Sequence, residues 1–410
     1  MAAAPRVQRA FVWAWLPGRT EPIVVGALDV VGPQLTFTYG RSYLVREDAV
    51  SLYGPELPLR RGRHVPPPDL EAAGVIRDAA PDAWGQRVIH RGLAGGAGDT
   101  ELPLLTYLLE SGSDRVGALD FQTSPTEYRP RYHFATLEEL LHATERFEAG
   151  EVLSEPLAAA LLHGTSIGGA RPKAALVADG RRLIAKFSSS TDTYPVVKAE
   201  AVAMDLAGRA GLSVAPTELV QVMGQDVLLV ERFDRTPDGG RRAFVSALTI
   251  LGLHEISGRY ATYFDLADVI RESFTERADT LRELFGRITF NILVGNTDDH
   301  ARNHAAFWDG EQLTLTPAYD ICPQLRAGGE AAQAMAVSRD GFRLAQLAGC
   351  VRAAREYELT TAQAREIIDH QIDVVRHCWT EVADTARLSA GERDELWGRQ
   401  TLNPYAFYDY

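Results

Sequence analysis

The stretch GNTDDHARNHAAFWDG, residues 295–310, gathers two adjacent aspartates, two histidines and two asparagines. Three chemistries suit those residue types. His300 and His304 stand four apart, the spacing of the zinc-binding histidines in an HExxH helix. The residue after His300 is Ala301, however, so the general-base glutamate of that motif is absent. Asn296, Thr297 and Asp298 could instead cap a helix, with the histidines as satisfied side chains. The third chemistry is phosphoryl transfer, in which an aspartate accepts the proton of the attacking hydroxyl and an asparagine five residues on holds magnesium. Asp298 and Asn303 have that spacing. Asp299 pairs at the same distance with His304, and imidazole is a poor ligand for a hard ion that prefers oxygen. Spacing therefore favours Asp298 as the base and leaves Asp299, His300 and His304 to hold the shape of the loop.

A phosphoryl-transfer site needs more than this pair. A second metal carboxylate is available in LTLTPAYDICP, where Asp320 lies seventeen residues after Asn303, bracketed by Pro317 and Pro323. Upstream, HGTSIGGARPKAAL (163–176) is rich in glycine, which permits close backbone approach and unusual dihedrals. Its N–H groups could cradle phosphate oxygens, and Arg171 and Lys173 add positive charge. The stretch is neither a Walker A sequence nor a GxGxxG, and a plain turn before a strand reads equally well. Lys186 sits near the end of an apolar strand, Leu183-Ile184-Ala185-Lys186-Phe187, where an ammonium is costly to bury unpaired. Glu200, fourteen residues later on a predicted helix, is a candidate ion-pair partner. A strand lysine held by a helix glutamate is how protein kinases place a cation on nucleotide phosphates. VLLVERFDR (227–235) closes this region as a linker in which Glu231 and Phe233 could meet an adenine edge, or as a strand end with a solvated Glu-Arg pair. The order of the whole set (Gly-rich loop, lysine, glutamate, linker, Asp-x4-Asn, Asp) says more than any member.

The elements that must position these residues can be read coarsely. At 410 residues two or three domains are expected. The first hundred residues read as β-rich: RAFVWAWL is strand-like, with Phe11, Trp13 and Trp15 on one face, and PIVVGALDVVGPQLTFTYG reads as two strands about a Gly-Pro turn. LRRGRHVPPPDL is a loop, AAPDAWGQRVIHRGL a short helix opened by Pro81, AGGAGDT a flexible break, and LEELLHATERFEAG an amphipathic helix. Strands are predicted at 174–178 and 182–187 about an Asp179-Gly180 hairpin turn, then a helix near 196–210 and strands at 216–222 and 226–233. Helices dominate beyond Asp234. In the middle one Leu281, Leu284, Phe285, Ile288 and Ile292 keep helical spacing, with Asp279 as N-cap. The composition, 46% hydrophobic and 24% charged, is ordinary for a globular protein. A net charge of −13 argues against the chain gripping nucleic acid alone. Cys322, Cys350 and Cys378 form no CxxC pair, which suits a reducing cytoplasm rather than a disulfide framework. Neither a secretory pattern nor a membrane-spanning apolar run is present.

SIGGARPKA (166–174), LIAKF (183–187), ERFDR (231–235), NTDDHARNHAAF (296–307) and LTPAYD (315–320) occur in the order found in the HipA family, kinase toxins of bacterial toxin–antitoxin pairs, and the chain resembles that family over nearly its whole length. VGALDVVGPQLTFTYGRSYL and AAPDAWGQRVI are similar to the family's extra amino-terminal domain. The resemblance implies an α+β, divergent two-lobed kinase-like fold: a β-rich amino-terminal domain at 1–125, a small lobe with the Gly-rich loop at 126–235, and an all-α large lobe at 236–410. It implies an ATP-dependent serine/threonine protein kinase with Asp298 as catalytic base and Asn303 and Asp320 holding Mg2+. Lys186 would contact the phosphates, and Glu231 and Phe233 would meet adenine. Ser166, Gly168, Gly169, Ala170, Lys173 and His300 complete the nucleotide-binding set. Ser166, beside Thr165, falls where the family carries an autophosphorylated serine, an off switch by charge and displacement. The family pairs with a small DNA-binding HipB-like antitoxin, and known targets include aminoacyl-tRNA synthetases. Two other classes remain open: a small-molecule phosphotransferase using the same residues, and a non-catalytic scaffold or co-repressor. The complete set of Lys186, Asp298, Asn303 and Asp320 argues against the second.

Overall fold

A computed structural model describes residues 7–94, 102–132, 135–164, 169, 171–189, 191–326 and 328–410. The predicted break at 94–100 lies almost wholly outside them. The chain divides into two units, one made of Met1–Ser190, Glu231–Val245 and Phe307–Glu311, the other of Thr191–Val230, Ser246–Ala306 and Gln312–Tyr410.

The first unit opens with a five-stranded antiparallel sheet in the spatial order Arg63–His64, Gln34–Tyr39, Ile23–Val31, Arg9–Ala14, Leu119–Gln122. Val31 pairs with Gln34 across a two-residue turn, Gly32-Pro33. Gly32 has φ +61°, and the proline ring fixes the next φ near −65°, the combination a tight hairpin turn requires. Val12 and Trp13 are both buried, so the strand Arg9–Ala14 is covered on both faces. Its register with Ile23–Val31 slips by one residue between Val12 and Trp13. The fully buried Arg115 donates to Asp120 of the edge strand at 2.8 Å and to Ser111 Oγ at 2.7 Å. Asp120 also accepts from Ser113 and Arg131. Burial alone would push the Asp120 carboxyl up, but the two guanidiniums hold it below the usual range.

The same unit contains the hairpin Lys173–Ala178/Arg181–Phe187, turned by Asp179 (φ 49°) and Gly180 (φ 74°) as the Asp-Gly pair predicts. Helices Ala83–Ala94, Leu137–Glu148 and Glu155–Gly164 accompany it. Leu137–Glu148 starts with a capping box between Thr136 and Glu139. Trp84, Val88, Phe147 and Leu161 form an apolar cluster among these helices.

Helices dominate the second unit: Val196–Arg209, Tyr263–Ser273, Arg277–Val294, Leu347–Ala353 and Thr361–Thr385, and its strands include Thr217–Val222 and Leu313–Leu315. Arg277–Val294 is its spine. Leu281, Leu284, Phe285, Ile288 and Ile292 are fully buried, as their spacing predicts. Its N-cap is Glu276 at φ 48°, and Asp279 falls in the first turn instead. The entry is set from outside the helix, because Thr275 N donates to Leu313 O and fixes the chain just before Glu276. Thr289 and Gly286 on this helix bond Gln371 of Thr361–Thr385, each at 2.8 Å. Among the described residues no helix is long and apolar enough to cross a membrane.

Candidate active site

The spine helix ends at Gly295, whose φ of 78° is the left-handed conformation that terminates helices. A Cβ at this position would lie 2.7 Å from Gln400 O, so the close approach also requires glycine. Asn296 then folds back. Its N donates to Asn291 O at 2.8 Å, its Nδ2 to Asn291 Oδ1 at 3.0 Å, and its carbonyl accepts from Gln333. The Asp-rich loop therefore leaves a buried helix at a fixed point.

Within that loop the two aspartates face opposite ways. Asp299 is buried, and its Oδ2 accepts from Tyr263 OH at 2.6 Å and meets His304 Nε2 at 2.8 Å. Burial would raise this carboxyl, but the attraction of His304 and the hydrogen bonds from His304 and Tyr263 outweigh it, and Asp299 lies below the usual carboxylate range. Burial beside Asp299 holds the Tyr263 phenol well above its usual value. Asp298 is exposed. Its carboxyl is nevertheless raised, first by the hydration it loses to surrounding protein and further by repulsion from Asp320 and Asp299, against a lowering pull from His300. A carboxylate made more basic while open to solvent is suited to hold a hydroxyl proton.

Asn303 and Asp320 meet directly: Asn303 Nδ2 donates to Asp320 Oδ2 at 3.2 Å. Asp320 has φ 62°, a left-handed value that aspartate tolerates better than most residues yet still at some cost. The residues before it enforce the bend. Ala318 N donates to Ser213 O at 2.7 Å, Ala318 O accepts from Ala215 N, and Tyr319 OH donates to Arg302 O at 2.7 Å. Asn303 and Asp320 thus bring two oxygen-bearing side chains together, a donor set for a hard ion, with Asp298 near enough for Asp320 to raise its carboxyl. Among the described residues no three His, Cys, Asp or Glu side chains gather to cage a metal. That pattern fits magnesium, which takes one or two carboxylates and leaves its other positions to phosphates and water. It gives no support to the zinc reading of His300 and His304. His304 turns inward to Asp299, whereas His300 is exposed.

The other predicted residues belong to other segments of the chain. Gly169, Lys173, Lys186, Glu231 and Phe233 belong to the first unit and Glu200 to the second. Ser166, Gly168 and Ala170, like Thr165, fall outside the described residues. Lys173 and Lys186 are direct register partners on the hairpin, which puts two cations at facing positions, an arrangement that a phosphate chain would complement. Glu200 is buried on Val196–Arg209. Phe233 packs edge-on to Phe307 with ring centroids 5.9 Å apart.

The ERFDR stretch also holds a network that its sequence does not announce. Arg232 and Asp234 are buried. Asp234 Oδ2 accepts from Arg232 at 2.8 Å, Arg235 at 2.9 Å and Gly117 N at 2.7 Å, while Arg232 reaches Asp114 at 3.0 Å. The two arginines also donate to the Arg115 carbonyl. This is a buried clamp between residues 114–117 and 232–235, not a solvated pair. Tyr263 is likewise not announced by the sequence, because nothing local marks a helix tyrosine as the partner of a carboxylate 36 residues away.

Residues 165–379, more than half of the chain, match the family described as HipA-like C-terminal domain. The chain belongs to the HipA family. The curated relatives are partial matches. A protein of Sinorhizobium fredii named as a candidate kinase, Y4mE, is 30% identical over 146 residues, 34% of this chain and 33% of the relative. The serine/threonine-protein kinase toxin HipA of Shewanella oneidensis is 27% identical over 184 residues, 38% of this chain and 42% of the relative. These matches span less than half the length of either relative. The fold similarity is broader. HipA of Shewanella oneidensis MR-1, solved with HipB and its operator DNA, superposes with a TM-score of 0.69 at 19% identity, covering 92% of this chain and 94% of that one. The α+β, kinase-like HipA fold is therefore that of this chain.

Proposed function

We propose that this HipA-family chain is an ATP-dependent serine/threonine protein kinase, with Asp298 as catalytic base and Asn303 and Asp320 as the magnesium ligands. The observation that carries this reading is the direct pairing of Asn303 with Asp320 beside a basic-shifted, solvent-open Asp298. Asp298 orients the substrate hydroxyl and accepts its proton as the new bond from that oxygen to the γ-phosphorus forms and the bond from the γ-phosphorus to the β,γ-bridging oxygen breaks, with ADP as leaving group. Asp299, fixed by Tyr263 and His304, holds the loop so that Asp298 projects outward. Lys173 and Lys186 compensate phosphate charge, Glu231 and Phe233 receive the adenine, and His300 contributes to nucleotide binding. Asn303 and Asp320 would hold magnesium, which would supply neutralisation of phosphate charge.

The proposal extends to a toxin role with a HipB-like antitoxin, supported by the likeness to a HipA solved with HipB and DNA. The net charge of −13 favours DNA contact chiefly through such a partner. A protein substrate, such as an aminoacyl-tRNA synthetase, and self-modification at Ser166 complete it. Incubation with Mg-ATP followed by mass spectrometry is expected to find phosphate within residues 163–173. The Asp320→Asn variant should retain the fold, lose this phosphate, and need far more magnesium for any residual transfer. Absence of nucleotide binding together with absence of phosphate on any acceptor would overturn the reading.

A further inference from the structure

The segment Pro81-Asp82-Ala83-Trp84 belongs to the β-rich amino-terminal region by sequence, yet it grips the Gly-rich stretch. Asp82 Oδ2 accepts from Gly169 N at 2.6 Å. Trp84 N donates to Gly169 O at 3.3 Å. The Trp84 indole Nε1 donates to Lys173 O at 3.1 Å. Both polar groups of the Gly169 backbone and the carbonyl of Lys173 are thus bound by residues 82–84. Trp84 is fully buried and packs edge-on to Phe147 at 5.2 Å, so the anchor is rigid.

The grip has a direct consequence for a cation. Gly169 has φ +114°, a conformation that side chains rarely adopt, and a Cβ there would stand 2.0 Å from Lys173 Nζ. The Lys173 ammonium therefore lies folded over the glycine backbone that Asp82 and Trp84 hold. On the far side, Phe187 N donates to Pro172 O at 3.1 Å and ties the stretch to the Lys186 strand. The Gly169 N–H, expected from sequence to face phosphate, is taken by Asp82. Gly169 serves as the floor beneath Lys173 instead.

We propose that Asp82 and Trp84 are positioning residues for the nucleotide phosphates, fixing where the Lys173 ammonium stands through their hold on Gly169 and Lys173. The proposal rests on the kinase reading above and deepens it: the amino-terminal region is part of the nucleotide-binding apparatus rather than an appendage. Steady-state kinetics of the full chain with Mg-ATP test it, with thermal unfolding measured alongside. Asp82→Ala is expected to raise KM for ATP by on the order of ten-fold with a smaller change in kcat. Asp82→Asn keeps an acceptor oxygen for Gly169 N and should recover most of the loss. Trp84→Phe keeps the ring, removes the indole donor, and should fall between them. An Asp82→Ala protein with wild-type KM for ATP, whatever its Tm, overturns the proposal while an active wild type leaves the kinase reading standing. A wild type that neither binds nor uses ATP overturns both.

Discussion

Asp298→Asn is expected to lower phosphoryl transfer by roughly a hundred- to ten-thousand-fold, the range lost with a general base, while the protein unfolds at the same temperature or a higher one. The two halves of this expectation share one cause. Lost hydration and the nearby Asp320 and Asp299 raise the Asp298 carboxyl. A raised carboxyl binds its proton more tightly in the folded state than in the unfolded chain. Its ionisation therefore costs stability as pH rises through the unfolded value toward the folded one, and that cost persists at neutral pH. A neutral amide of the same shape removes it. Calorimetry in EDTA, where no divalent ion screens the carboxylates, should show Tm unchanged or increased.

Asp299→Asn behaves oppositely. Its carboxyl is stabilised by His304 and Tyr263, so the charge supports the fold. That variant should lose Tm, and its activity should fall only as far as the loop loosens. Equal activity losses in the two variants, with Tm unchanged in both, would show that the wrong carboxylate carries the chemistry.

Asp234→Ala should cost about 3–5 kcal/mol of stability, the penalty for leaving a buried charge without its partner. Arg232 and Arg235 both donate to this carboxylate, and their side chains are nearly inaccessible. Burial would raise Asp234, but the attraction of Arg232 and then Arg235 wins, and the carboxyl is lowered to about 2. Its folded value is thus below its unfolded one. The stability it contributes is present above the ordinary carboxylate range and is lost as pH falls toward about 2. Asp114, which meets the same arginines, is lowered as well. Acid titration of the wild type should therefore show a steep loss between about pH 4 and pH 2. Asp234→Asn should be less stable at neutral pH and lose less over that window. Identical acid profiles would mean that the clamp contributes nothing net.

Periodicity and turn chemistry made most elements legible. The helix Arg277–Val294 follows from five apolar residues at helical spacing, and all five are buried, although its second half is buried on every side, Arg287, Thr289 and Asn291 included. The two hairpin turns follow from Gly32-Pro33 and Asp179-Gly180, because their dihedral demands exclude most other residues. Spacing ranked the acidic loop as well. It singled out Asp298 and Asn303, the order of the whole set added Asp320, and the structure brings Asn303 and Asp320 into contact beside Asp298.

Contacts between distant segments were not legible. That Asp299 turns inward depends on Tyr263, that Arg232 and Asp234 are buried depends on residues 114–117, and that Gly169 gives its N–H to Asp82 depends on a helix start 87 residues away. Spacing along the chain encodes which atoms share a local face, and so the sequence by itself determined the element pattern and the ordered set of polar residues, while the resemblance of its motifs pointed to the family. Burial, and with it the direction in which each carboxyl is pushed, depends on what packs from elsewhere in the chain. Only the tertiary structure decided which of two adjacent aspartates is held inside and which stands open to solvent.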